Sequence, residues 1–169
     1  MILPAFDPRR ALTTLHDFAV DFVVIGGIAG RLWGSPTVTN DLDICYRRDD
    51  NNLTRLAEAL TSLHARLRGV DENVPFILDA RTLANGDSFT FITDAGNLDV
   101  IGTPEGTKGY DDLSATATTI DLDGLSIRVC DLEDLIRMKQ AAARPKDLIE
   151  VEVLSAVRAE RGRQPRRDT

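Results

Sequence analysis

The chain has 169 residues, 43% of them hydrophobic and 28% charged, enough for one globular domain with a real core. Its formal net charge of −7 excludes a broadly basic nucleic-acid-binding surface. No run approaches the ~18–20 apolar residues of a membrane-spanning helix, and Met1–Arg10 has no secretory pattern, so a cytoplasmic location with no membrane partner is expected.

In chain order, Asp7-Pro8 reads as a helix N-cap followed by proline at the first helical position, opening a helix to about Phe18. Phe22-Val23-Val24-Ile25 is a continuous apolar run, the pattern of a buried strand. Gly26-Gly27 ends it, and a short helix is expected over residues 28–33. A second strand is expected over residues 38–46, then a long amphipathic helix over 49–67 with Leu53, Leu56, Leu60, Leu63 and Leu67 at helical spacing. Phe76–Leu78 reads as a weaker strand and residues 79–84 as a short helix. Residues 88–93 and 98–101 read as strands joined by the turn-forming Asp94-Ala95-Gly96-Asn97.

After a glycine-rich loop over 102–109, residues 116–121 and 125–129 form a hairpin around Asp123-Gly124. Asp131 caps a helix over 132–142, with Asp134 three positions on in a capping-box-like arrangement. Pro145 opens a last helix to about Val157. Residues 158–169 carry five arginines against Glu160 and Asp168, a local charge of +3 that leaves −10 on the rest. This reads as a flexible Arg-rich tail, with a phosphate-contacting arm as the other reading. Cys45 and Cys130 read as buried thiols. The whole is one α/β (α+β) domain over 1–157, with a core of 20–130 and C-terminal helices at 131–157.

The strand Thr37-Val38-Thr39-Asn40-Asp41-Leu42-Asp43-Ile44 carries the chemistry. Alternation puts Thr37, Thr39, Asp41 and Asp43 on one face and Val38, Leu42 and Ile44 on the other, in the core. Two aspartates about 6.7 Å apart along a strand repel unless a cation sits between them. Magnesium takes oxygen ligands and keeps positions for water and substrate phosphates. Asp99, a lone acid between Leu98 and Val100, would complete a three-carboxylate cluster able to hold two metal ions if its strand pairs beside the first. Gly26-Gly27 lets the backbone approach a ligand, and the helix that follows offers N–H groups to a triphosphate. Lys139, Arg144, Lys146 and Asp147 straddle the joint between the last two helices, where cations reach phosphate and Asp147 orients one of them.

Taken in order, Ile25-Gly26-Gly27, Gly34-Ser35-Pro36, Thr39-Asn40-Asp41-Leu42-Asp43-Ile44 and Leu98-Asp99-Val100 resemble the nucleotidyltransferase superfamily with the DNA polymerase beta-like fold. The C-terminal Asp131-Leu132-Glu133-Asp134-Leu135-Ile136, with Lys139 and Arg144-Pro145-Lys146-Asp147-Leu148, is similar to the branch of AbiEii-type toxins and related bacterial nucleotidyltransferases. The resemblance covers residues 20–155. It implies a mixed twisted sheet flanked by helices, with the C-terminal helices packed alongside.

It also implies that Asp41 and Asp43 ligate Mg²⁺, as two ions, together with an NTP. Asp99 would be the third ligand and would help deprotonate the acceptor hydroxyl. Gly26 and Gly27 would hold the phosphates, with Thr39 and Lys139 also on the nucleotide. Lys146 and Asp147 would complete the site, with Lys139 as a rival lysine. The implied acceptors are RNA, transfer-RNA ends included, or protein, and an antitoxin is an implied partner. One departure is Thr37, where relatives carry arginine; Arg31 and Lys146 are the available substitutes. A non-catalytic nucleotide- or metal-binding module and an antibiotic-modifying enzyme stay open beside this reading, the latter because an acidic surface attracts cationic substrates.

Overall fold

The computed structural model describes residues 2–163. Helix α1 (Pro8–Asp17) starts as its sequence dictates, with Asp7 Oδ1 accepting from the Arg10 N–H at 3.0 Å. Strand β1 (Phe22–Ile25) is buried along its whole length, and helix α2 (Gly26–Trp33) follows with no intervening loop. Strand β2 (Asp41–Tyr46) and helix α3 (Asp50–Ser62), capped by Asp49, come next. The two-residue strand β3 (Arg66–Leu67) leads through an irregular segment to helix α4 (Ala80–Asn85). Strands β4 (Ser88–Thr93) and β5 (Gly96–Ile101) form a tight hairpin, and helix α5 (Tyr110–Thr116) precedes the hairpin of β6 (Thr118–Leu122) and β7 (Leu125–Val129). Helices α6 (Leu132–Ala142) and α7 (Pro145–Arg163) close the described chain.

The seven strands make one mixed sheet in the order β3-β4-β5-β2-β1-β7-β6. β2 runs antiparallel to β1 and parallel to β5, and β1 runs parallel to β7. Leu42, Ile44, Leu98, Val100 and Phe91 are buried in the core, together with Leu53, Leu56 and Leu60 of α3. α6 packs on α2 and on α7. Cys45 and Cys130 are both buried with free thiols, and burial pushes the Cys45 thiol up to about 12.

Several boundaries differ from expectation for identifiable reasons. β2 begins at Asp41 rather than Val38, and Val38 is 79% exposed rather than part of the apolar face. Helix α3 stops at Ser62 because His64 turns left-handed at φ 51° and the Ala65 N–H returns to the Leu60 carbonyl. Phe76–Leu78 is not a strand; the Phe76 ring instead packs 6.4 and 6.3 Å from the rings of Phe89 and Phe91. Helix α5 occupies residues that the sequence left outside any helix.

Asp131 does cap α6, but Asp134 makes no capping box: its carboxylate takes Arg137 and the Thr116 hydroxyl. α7 continues past Val157 through residues 158–163, so this part of the expected flexible tail is helical. There Arg158 pairs with Glu133 at 3.0 Å and Arg161 lies 4.7 Å over the Trp33 ring. The remainder of the expected tail, 164–169, lies outside the described residues.

Candidate active site

The parallel pairing of β2 with β5 sets Asp41 opposite Asn97 and Asp43 opposite Asp99. Side chains alternate along a strand, so both aspartates of β2 and Asp99 emerge on the same face while Leu42, Leu98 and Val100 point into the core. Asn97 Nδ2 donates to Asp41 Oδ1 at 3.1 Å. Asp43 and Asp99 face one another across this register, and each bears on the other's proton affinity.

Burial raises the Asp43 carboxyl to about 7, helped by the negative charges of Asp99 and Asp41 and opposed by Lys139. Burial also raises Asp99, against the pull of Arg68, whose Nη2 donates to Asp99 Oδ1 at 3.0 Å and Oδ2 at 3.3 Å. Acids held this close with so little cationic charge are oxygen donors of the kind magnesium takes. Among the described residues no three carboxylate, histidine or cysteine side chains are gathered into a finished metal cage. The register supplies the shared face, and Asp99 is engaged by Arg68.

The end of β1 builds the second wall. Ile25 pairs with Asp43, so the next residue, Gly26, passes directly against that carboxylate. A Cβ on Gly26 would lie 2.0 Å from Asp43 Oδ2, and φ is +68°, so only glycine suits the position. A Cβ on Gly27 would meet Thr39 Cβ and Oγ1 at 2.8 Å. Thr39 in turn donates from Oγ1 to the Asp41 carbonyl at 3.3 Å, bracing the entry to β2. α2 has no side-chain cap, so its first-turn N–H groups open beside the acids.

The α6–α7 joint forms the third wall. Asp147 is fully buried and accepts from Lys139 Nζ at 3.3 Å and from Arg144 Nε at 2.6 Å. Burial alone would raise this carboxyl, but Arg144 and Lys139 outweigh it and hold it below the ordinary value. Lys139 is also near enough to Asp43 to pull that carboxyl down. Lys146 is exposed and makes no hydrogen bond or ion pair among the described residues.

At the departure noted in the sequence, Thr37 Oγ1 donates to Glu150 Oε2 at 2.7 Å and Ser35 Oγ to Glu150 Oε1 at 2.8 Å. α7 thus clamps the loop leading to β2. Arg31 reaches the same loop, donating to the Pro36 and Thr37 carbonyls.

Arg68 and Asn97 were not singled out in the sequence. Asn97 read as a turn residue, although alternation with Asp99 was a signal for its face. Arg68 fell just past an expected helix over 49–67 that ran too long, which hid its strand register. Two cavities, of about 570 and 510 Å³, lie at the β3 edge, and neither is lined by Asp41, Asp43 or Asp99.

No protein-family model matches the chain, and neither does any curated protein. Solved structures do match. A nucleotidyltransferase-like protein from Thermotoga maritima aligns over 93% of this chain and 91% of its own, with 20% identity and a TM-score of 0.52. The lincosamide antibiotic adenylyltransferase LnuA, bound to lincomycin, aligns over 89% of this chain and 95% of its own, with 11% identity and a TM-score of 0.60. ANT(2″)-Ia in complex with adenylyl-2″-tobramycin aligns over 92% and 95%, with 15% identity and a TM-score of 0.55. Identities this low speak of architecture, and the architecture is consistent across all three. The chain has the nucleotidyltransferase fold.

Proposed function

We propose that residues 1–157 act as one metal-dependent nucleotidyltransferase domain, moving a nucleoside monophosphate from an NTP to an acceptor hydroxyl. The observation that carries this reading is the β2–β5 register, with Asp43 beside Asp99, Asp41 on the same face, and the Gly26 backbone against Asp43. Asp41, Asp43 and Asp99 would hold Mg²⁺, as two ions, with the triphosphate; bound there, the cation would supply charge neutralisation for the phosphates. The uncapped N–H groups of α2, with Gly26 and Gly27, present donors for phosphate oxygens.

Asp99 takes the proton of the acceptor hydroxyl. As it does so, the acceptor oxygen forms its bond to the α-phosphorus and the bond to pyrophosphate breaks. Lys139, held by Asp147 and close to Asp43, adds positive charge where the phosphates lie, and this contact favours it over exposed Lys146 as the site lysine. Asp147 acts through Lys139 and Arg144 and is a positioning residue.

RNA or protein is the acceptor in this reading, in a toxin role neutralised by an antitoxin; the C-terminal motif around Lys139 and Asp147 supports it. A second reading takes a small cationic antibiotic. It is supported by the fold shared with LnuA and ANT(2″)-Ia and by the net charge of −7.

The test is incubation of the protein with Mg²⁺ and each α-labelled NTP against transfer RNA, total cell protein, aminoglycosides and lincosamides. We expect one labelled acceptor class, with the label reduced at least ~1,000-fold in Asp41→Ala. Growth arrest on expression, relieved by a co-expressed neighbouring gene product, would favour the toxin role over the antibiotic one. A folded protein that binds NTP tightly and labels nothing would leave a binding module instead.

A further inference from the structure

Arg68 is absent from every expectation above, and it holds the third carboxylate. Its backbone N–H donates to the Thr90 carbonyl at 2.9 Å, continuing the ladder just beyond β3, and Thr90 is paired with Asp99. The three residues therefore make one row across the sheet. Thr90 is small and exposed, so the long side chain of Arg68 crosses it to reach Asp99 two strands away. A single nitrogen, Nη2, engages both Asp99 oxygens, at 3.0 and 3.3 Å. The partners are 30% and 17% exposed, so the contact is shielded from water without being sealed.

A guanidinium can meet a carboxylate with two parallel N–H donors, one from each of two nitrogens. Here Nη1 is buried without any hydrogen-bond partner among the described residues. The guanidinium is half-satisfied, and the chain turns away from the sheet at Arg68-Gly69, with φ 75° at Gly69. The pair places a positive charge on Asp99 yet is incompletely held.

We propose that Arg68 is a tethered competitor for Asp99, occupying that carboxylate in the metal-free protein and moving off it when a divalent cation binds. The inference rests on the reading of Asp41, Asp43 and Asp99 as a cation site. It predicts that Arg68 restrains cation binding, whereas a residue that only braced the fold would leave the site's affinity unchanged or lower it when removed.

The probe is Mn²⁺ alone, without nucleotide, followed by electron paramagnetic resonance and calorimetry. Arg68→Gln is expected to bind Mn²⁺ at least tenfold more tightly than the parent, with Arg68→Lys in between. The gain should vanish when Arg68→Gln is combined with Asp99→Asn. Equal or weaker binding by a folded Arg68→Gln overturns the proposal.

A second measurement needs no variant. Phenylglyoxal modification of Arg68 in the parent protein, read by peptide mass spectrometry, should rise severalfold on addition of Mn²⁺; unchanged modification with Mn²⁺ bound overturns the exchange. Absence of Mn²⁺ binding in every form would remove the cation site itself and the proposal with it, an outcome distinct from equal binding.

Discussion

Two clusters of buried charge lie side by side in this molecule and solve the same problem in opposite ways. At the α6–α7 joint one fully buried carboxylate, Asp147, meets two cations, Lys139 and Arg144, and its proton affinity falls. On the β2–β5 pair three carboxylates share one face of the sheet, Asp43 and Asp99 in the same row, and the proton affinity of Asp43 rises to about 7. The first cluster is balanced by the chain itself. The second is not, and a surplus of negative charge at this depth stands only if protons or an external cation complete it. Balance marks a scaffold, and imbalance marks a place where something binds. Lys139 pairs with Asp147 in the first cluster, and its charge also bears on Asp43 in the second.

The comparison is broken most directly by removing the balanced acid. Asp147→Asn should destabilise the protein by about 3 kcal/mol in urea unfolding, because Lys139 and Arg144 lose their shared buried partner. If it does not, the joint is no scaffold.

The unbalanced cluster should respond with the opposite sign. Asp43 has a folded value of about 7 against an ordinary 3.8. Below pH ~4 the carboxyl is protonated in both states and carries no penalty. Between pH ~4 and ~7 the folded protein keeps a proton that the unfolded chain has lost, so stability falls as pH rises. Above pH ~7 the full penalty is present. The metal-free protein should therefore lose about 2 kcal/mol between pH 5 and 8. Thermal melts should show this slope flattened in Asp43→Asn, and Mg²⁺ should restore stability at pH 8.

A smaller effect sharpens the boundary between the clusters. Gly26→Ala combines positive φ with a clash against Asp43. It should cost about 1–2 kcal/mol in urea unfolding and weaken NTP binding by more than its stability loss explains. Equal nucleotide binding in Gly26→Ala would show that this backbone does not face the phosphates.

Much of this is legible in the amino-acid sequence. Asp7-Pro8 and Asp131 announced their helices because capping chemistry is local. Asp123-Gly124, with φ values of 52° and 88°, made the expected tight hairpin for the same reason. Alternation assigned Asp41, Asp43 and Asp99 to the face opposite their apolar neighbours. Strand pairing was not legible, since nothing in residues 96–101 states which strand they will lie beside.

Leucine spacing also misled: Leu63 remains buried after the helix has ended, and Leu67 belongs to β3, so the periodic pattern outran the element. That over-extension concealed Arg68. Helix α5 left a trace in Asp111-Asp112, acids suited to a first turn, but its start at Gly109 with φ 95° looked like more loop.

β2 has a neighbour on each side and is the central strand of the seven, fourth from either edge. Its peptide amides are consequently the ones that solvent deuterium reaches last, through whole-domain opening rather than fraying. Heating should therefore leave the two aspartates of β2 correctly aligned until the domain melts, so that function disappears in a single step with the fold and not gradually before it.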